Sequence, residues 1–376
     1  MKWFGRKSAG RADARPVLAR GWATAEAVRP WTYEEGVRAG YVANPIVQRA
    51  VRLIAEGVGA VPLTGAVPEV LALIGTRTAG QALLETVAMQ ILLHGNGFVR
   101  VMTPPVAVGE AAALPTDLFA LRPERVTVER DARGWPVAYL YRAGESAQRI
   151  AAEDAAGRPA LIHVRSAHPL DDHYGLGCLG AAAGAVAIHN AATRWNQALL
   201  DNAARPSGVL TFDRNGEGDT LAPEQFDRLR EELDAQFSGT PNAGRPLLLE
   251  GGLRWQAMSL TPADMDFVGL KSSAAREIAL AFGVPPMLLG LPGDAAYANY
   301  KEANRALWRQ AILPLAGSIL GGLNEALVRW WPEGAVRVDL DHVPALADER
   351  EALWAQVTAA DFLSRAEKRK LLGVER

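Results

Sequence analysis

Six residues, Gly175-Leu176-Gly177-Cys178-Leu179-Gly180, have the G-x-G-x-x-G spacing that can cradle the pyrophosphate of a dinucleotide. In such a site the first glycine permits the tight turn. The second lets the pyrophosphate approach the backbone, and the third brings helix and strand together. Here the run opens a predicted helix, and the strand after it ends at Asp213, where a ribose-binding acid would stand. The fingerprint also needs an apolar strand leading directly into the first glycine. Asp171-Asp172-His173-Tyr174 occupy that position instead, and no strand–helix repeats follow to build a doubly wound sheet. The competing explanation is a tight turn and close helix packing.

Other chemistry-bearing residues are sparse. His163, His168 and His173 recur every five residues beside Asp171 and Asp172, a possible metal set if a loop brings them together. Gly269-Leu270-Lys271-Ser272-Ser273 resembles a phosphate loop faintly. It lacks the glycine before lysine and lies within a helical pattern, so no phosphate cradle forms. No serine occupies a G-x-S-x-G elbow. Glu231-Glu232 fit the charged face of a helix. No catalytic residue, cofactor site or metal site is therefore expected.

The chain has 376 residues, more than one ordinary core requires, so two or more subdomains are expected. Hydrophobic residues make up 49% and charged residues 22%, the balance of a folded globular protein. The net charge of −2 is not that of a tight nucleic-acid binder. A single cysteine, Cys178, excludes an internal disulfide and a cysteine-based zinc site. The basic N-terminus lacks an apolar h-region, and the longest apolar run, 177–188, is too short to span a membrane. Synthesis in the cytoplasm, with no membrane partner, is expected.

The elements that must position any site follow from periodicity. Residues 1–44 read as a flexible basic arm. Asn44-Pro45 opens a helix carrying Val47, Ala50, Val51, Ile54 and Val58 on one face. A second helix is predicted over 78–93, ending at His94-Gly95-Asn96-Gly97 and turning into a strand over 98–102. Strands are expected at 118–121, 125–130, 135–142 and 161–165, making 45–165 an α+β unit. A long helix over 175–204 has a small-residue face. A β-α-β-β insert follows, with strands at 209–212, 247–250 and 253–260 and a helix from Pro223. A helix capped by Thr261, with Pro262 at its first position, runs to Phe282-Gly283-Val284-Pro285-Pro286. Another restarts near Ala298 and runs to about Trp331, kinked at Pro314. A strand over 335–340, a helix over 347–360 and a short helix capped by Ser364 with Glu367 close the chain.

Several phrases resemble the portal (head–tail connector) family of tailed phages, in its siphovirus-type branch. They are NPIVQRAVRLIAEGVGAVPL from Asn44, LLHGNGFVRV around Asn96, and Ile278-Ala279 with Phe282 to Pro286 and Leu288 to Gly290. Ala298-Asn299 with Glu302, Leu313-Pro314 and the closing 362–373 follow in the family's order. Asp172 to Gly177 matches partly, with glycine where serine is common, and Ala366 replaces a common asparagine.

The resemblance implies an α+β portal architecture and a ring-forming subunit. Its parts would be a wing (45–175), stem helices (176–205 and 262–286), a clip (206–261), a tunnel loop (287–300), a kinked wing helix and strand (301–344), and a small helical crown (345–376). A ring, usually of twelve, would stand at one capsid vertex and pass double-stranded DNA without reading sequence. Terminase, head–tail adaptor and major capsid protein would be its partners. Tyr297, Asn299, Tyr300 and Lys301 would face the channel, and Arg228, Glu231, Glu232 and Arg254 would form the clip docking surface. Small residues such as Ala181, Ala182 and Ala185 would let stem helices pack tightly. A phage or a domesticated gene transfer agent would be the source. The alternatives are a dinucleotide-binding enzyme using Gly175 to Gly180, and a structural adaptor that forms no ring.

Overall fold

The structure is a computed structural model. It describes residues 32–78, 80–104, 113–154, 156–201, 208–212, 224, 227–228, 231, 253–257, 266–291 and 297–373. Helix α1 (Tyr33–Val37) starts at Thr32, whose hydroxyl accepts from Glu35 N while the Glu35 carboxylate accepts from Thr32 N. A π-helical turn, Arg38–Val42, follows it. The arm expected over 1–44 is thus helical in its last part, because Thr32 and Glu35 form a capping box. Residues 1–31 lie outside the described residues.

Helix α2 (Pro45–Gly59) begins as predicted: Asn44 Oδ1 accepts from the amides of Ile46 and Val47. Its face of Val47, Ala50, Val51, Ile54 and Val58 is fully buried. Strand β1 (Leu63–Gly65), helix α3 (Pro68–Ile74) and the hairpin β2 (Arg77–Thr78) and β3 (Gln81–Ala82) come next. That hairpin delays α4 to Leu83–His94, five residues after the predicted start. Strands β4 (Asn96–Met102), β5 (Asp117–Leu121) and β9 (Leu161–Arg165) form an antiparallel sheet of order β5-β4-β9. Strands β6 (Val126–Arg130), β7 (Pro136–Ala143) and β8 (Ser146–Ala151) form a second, of order β6-β7-β8. Phe98, Leu121, Val126, Tyr139, Ile150 and Leu161 pack between the two sheets.

Helix α5 (Cys178–Asp201) leads to strand β10 (Gly208–Phe212), which pairs with β11 (Leu253–Ala257). The predicted strand 247–250 lies outside the described residues. Helix α6 (Phe267–Ala281) starts with Asp266 as cap, at φ 38°, its Oδ1 accepting from Gly269 N. The predicted start at Thr261 and Pro262 lies outside the described residues. The helix ends as the sequence dictates. Gly283 adopts φ +67°, Gly283 N bonds Leu280 O, and Val284 N bonds Ala279 O, satisfying its last carbonyls.

Helices α7 (Tyr297–Leu307) and α8 (Leu313–Leu327) are joined by a π-helical turn, Trp308–Ile312. Pro314, in the first turn of α8, has no N–H to give Gln310, and an α-helical ring would press on that carbonyl. The wider turn relieves the conflict: Leu313 N bonds Trp308 O, five residues back. Strand β12 (Val336–Val338) pairs with β1, and the Asn324 side chain bonds both N and O of Val336. Helices α9 (Ala347–Ala359) and α10 (Arg365–Leu372) finish the described chain, the latter with the predicted Ser364–Glu367 capping box. One large core joins α2, α4, α6, α8 and the β4 sheet.

Candidate functional site

The first two glycines of the run, Gly175 and Gly177, are packed against protein backbone. A Cβ on Gly175 would overlap the carbonyl of Gly95 and lie 2.8 Å from Ser166 N. One on Gly177 would lie 2.5 Å from Leu93 O. Gly95 itself holds φ +86°, the left-handed cap of α4. Ser166 N donates to Gly95 O at 2.9 Å, and Ser166 Oγ to Leu176 O at 2.6 Å. The space a pyrophosphate would need is therefore filled, and residues 166–177 separate β9 from α5. The dinucleotide alternative fails on this geometry.

Asn96, the buried partner of this crossing, connects three segments. Its Oδ1 accepts from Gly175 N at 2.7 Å and from His163 Nε2 at 2.9 Å. Its Nδ2 donates to Gly175 O at 3.3 Å and to His94 Nδ1 at 3.0 Å. His163 stacks on Phe98 with ring centroids 4.2 Å apart. Burial, with Arg165 nearby, pushes its pKa down to about 4, so the imidazole is neutral. Of the metal set considered above, His163 is held by Asn96, His168 Nδ1 accepts from Leu170 N, and Asp171 Oδ1 accepts from the amides of His173 and Tyr174. Among the described residues no three His, Cys, Asp or Glu side chains are placed to hold a metal ion.

Helix α5 is tied to the start of α2 by a second buried polar group. Asn44 Nδ2 donates to His189 Nδ1 at 3.1 Å and to Asn190 Oδ1 at 2.9 Å. The same asparagine that caps α2 thus fixes α5 beside it. Burial, followed by the charge of Lys271 on α6, lowers the pKa of His189.

Tyr297, Asn299, Tyr300 and Lys301 stand on the first turns of α7 rather than in a loop. Asn299, Tyr300 and Lys301 are exposed, Tyr300 by 54%. Lys301 pairs with Asp348 on α9 and opens a chain of ion pairs. Arg305 reaches both Asp348 and Glu349, and Arg309 pairs with Glu349. The structure brings these cations to the C-terminal helices, a meeting that local sequence patterns did not signal. Of the predicted docking residues, Arg228 and Glu231 are helical and exposed. Arg254 lies in β11 opposite Thr211, and Glu232 is outside the described residues.

The phage portal protein family model matches residues 45–373. The chain belongs to the phage portal protein family. An uncharacterized protein of Rickettsia felis is 39% identical over 350 residues, covering 89% of this chain and 87% of that one. A probable portal protein of Streptomyces phage phiC31 is 26% identical over 200 residues, covering 52% of this chain and 43% of that one. A chain from the virion of a native gene transfer agent particle is 47% identical, with TM-score 0.68, covering 92% of this chain and 94% of that chain. An HK97-family phage portal protein from Corynebacterium diphtheriae shares the fold, with TM-score 0.60 over 83% of this chain and 98% of that one, at 18% identity. The mixed helix-and-sheet portal fold and the portal role expected from the sequence phrases are thereby established.

Proposed function

We propose that this portal protein forms a twelve-membered ring at one vertex of a phage-like capsid, in a gene transfer agent or prophage-derived particle. The observation that carries this reading is the 47% identity, over 92% of the chain, to a chain in a gene transfer agent virion. A matching chain at the same identity lies in the neck of that particle, computed with twelvefold symmetry. In this reading 45–175 form the wing, α5 and α6 the stem, and β10 and β11 anchor the clip. The α7–α8 helix leads from the tunnel side to a crown made by α9 and α10. Double-stranded DNA passes in both directions. Terminase and later the head–tail adaptor dock on the clip through Arg228, Glu231, Glu232 and Arg254, and the major capsid protein surrounds the wing.

The chain acts as a conduit and catalyses nothing itself; hydrolysis of ATP falls to the motor. A net charge near zero suits sliding, because each phosphate neutralised by a lysine or arginine adds a counterion-release gain that holds the duplex in place. Lys301, offset by Asp348, meets a phosphate by exchanging partners rather than as a free cation.

Native mass spectrometry with negative-stain imaging of the purified chain tests this reading. The expected result is one large cyclic species with a central hole. A monomer that binds a nicotinamide cofactor would overturn it.

A further inference from the structure

Between α2 and the first two turns of α4 lies a half-open cavity of about 240 Å³, lined also by Tyr41 of the π-helical turn and Gln81 of β3. Its apolar wall is Val51, Ala55 and Met89. Val51 and Ala55 belong to the core, so this wall is fixed. Around it stand polar side chains with nothing to hold. Tyr41, Gln48, Gln81 and Glu85 make no side-chain hydrogen bond or ion pair among the described residues.

Glu85 sets the chemistry. It is half-buried, and it stands in the first turn of α4, where the helix dipole favours an ionised carboxylate. A Cβ on Gly59 would lie 2.8 Å from Glu85 Cβ, so the close approach of α2 fixes where the side chain leaves its helix. Arg52, the one cation in the lining, is committed to Glu56 at 2.6 Å. Arg52 and Glu56 cancel, and Glu85 leaves the cavity with one negative charge. An anion would be repelled. A neutral apolar ligand would take water from Glu85 and give nothing back. A divalent metal ion needs a convergent set of ligands, and among the described residues no three His, Cys, Asp or Glu side chains supply one. A cation with several N–H donors on a hydrocarbon stem meets every part of the lining.

We propose that this cavity binds an aliphatic ammonium. The ammonium donates to Glu85 and to the oxygens of Tyr41, Gln48 and Gln81, and its methylenes cover Ala55 and Met89. A free polyamine carries this chemistry, and so do the lysine side chains of the N-terminal segment, Lys2 and Lys7. Either one would join α2, α4 and the π-helical turn, and so would stabilise the folded chain. The cavity is lined by one subunit, so the proposal does not depend on the ring reading above.

Calorimetric titration and thermal melting of the full chain test it, with spermidine as the probe and magnesium chloride at equal ionic strength as the control. One saturable site per chain is expected, with a Tm that climbs with spermidine and not with magnesium. Glu85→Gln is expected to weaken binding by about tenfold or more. Gln81→Lys, at an exposed position, would place an ammenium-bearing side chain beside Glu85; it is expected to abolish spermidine binding and raise the Tm of the unliganded chain. Binding by the wild type assigns the site to a free polyamine. Binding that emerges only in a Lys2→Gln, Lys7→Gln double variant assigns it to the N-terminal lysines. No saturable site in either chain, an equal response to magnesium, or binding untouched by both Glu85→Gln and Gln81→Lys would overturn the proposal and leave the portal reading standing.

Discussion

Two junctions hold distant parts of this chain together by opposite means. At Gly95, Asn96 and Gly175 the contact is buried, uncharged and too tight for a side chain. Where α7 and the π-turn after it meet α9, it is a surface lattice in which Lys301, Arg309 and Asp348 are exposed and Arg305 and Glu349 half-buried. The first draws on hydrogen bonds that water cannot replace once the groups are buried, so each missing partner is costly. The second draws on charges that water and salt screen well. The turn between α4 and β4 is therefore fixed to the start of α5 whatever the salt concentration. Helix α9 is held to α7 by a contact that ionic strength can loosen.

Four substitutions and one titration probe this contrast, from the largest effect to the smallest. Gly175→Ala should destabilise the fold by roughly 4 kcal/mol, because its methyl has only backbone to displace; urea unfolding measures it, and a loss under about 1 kcal/mol would mean the crossing can open. Asn96→Ala leaves Gly175 N and His163 Nε2 without their acceptor and should cost about 3 kcal/mol in the same assay.

The titration concerns His163. Its pKa is about 4 in the folded state against 6.5 for the free side chain, so folding favours the neutral imidazole. That stability is complete above pH 6.5 and is lost as pH falls towards 4, by about 3 kcal/mol in all. His163→Gln, which keeps an N–H for Asn96 but cannot titrate, should flatten the profile. An unchanged slope would move the effect to His94 or His189, which burial shifts in the same direction.

Gly180→Ala, on the open face of α5, should stabilise the monomer by up to about 1 kcal/mol, the reverse of Gly175→Ala. Lys301→Ala should lower Tm by less than about 2 °C in low salt and by nothing measurable in 1 M salt. A large shift there would show that the exposed junction is stiffer than its solvation allows.

Much of the framework was legible because it is local. Asn44 with Pro45, the Gly283 stop and the Ser364–Glu367 box each satisfy helix ends within a few residues, and all three stand where the pattern placed them. Strand β9 matches its prediction residue for residue. The Thr32–Glu35 box was equally local, but the basic residues before it suggested an unstructured arm. Strand β8 has a single buried residue, Ile150, so it offers no alternation to read. The π-turn was half visible: Pro314 announced a disturbance, but its form depends on packing. The role of Asn96 was not legible at all. Its sequence context reads as a turn, while its partners lie 67 and 79 residues away. The ion pairs of Lys301 are long-range in the same way.

The π-turn at Trp308–Ile312 also sets a rule for how this stretch can vary. Removing one residue there would restore an ordinary helix and swing everything beyond it by about 100°. Ile312 sits where a side chain on Gly57 would otherwise be, with its Cγ1 only 3.0 Å from that position. Such a swing would take Ile312 out of the notch that Gly57 leaves for it and turn the apolar stripe of α8 away from its core. A surface loop can take an insertion at little cost, but this helix is a keyed shaft. Its residue count is fixed by geometry, whatever the identity of the residues that fill it.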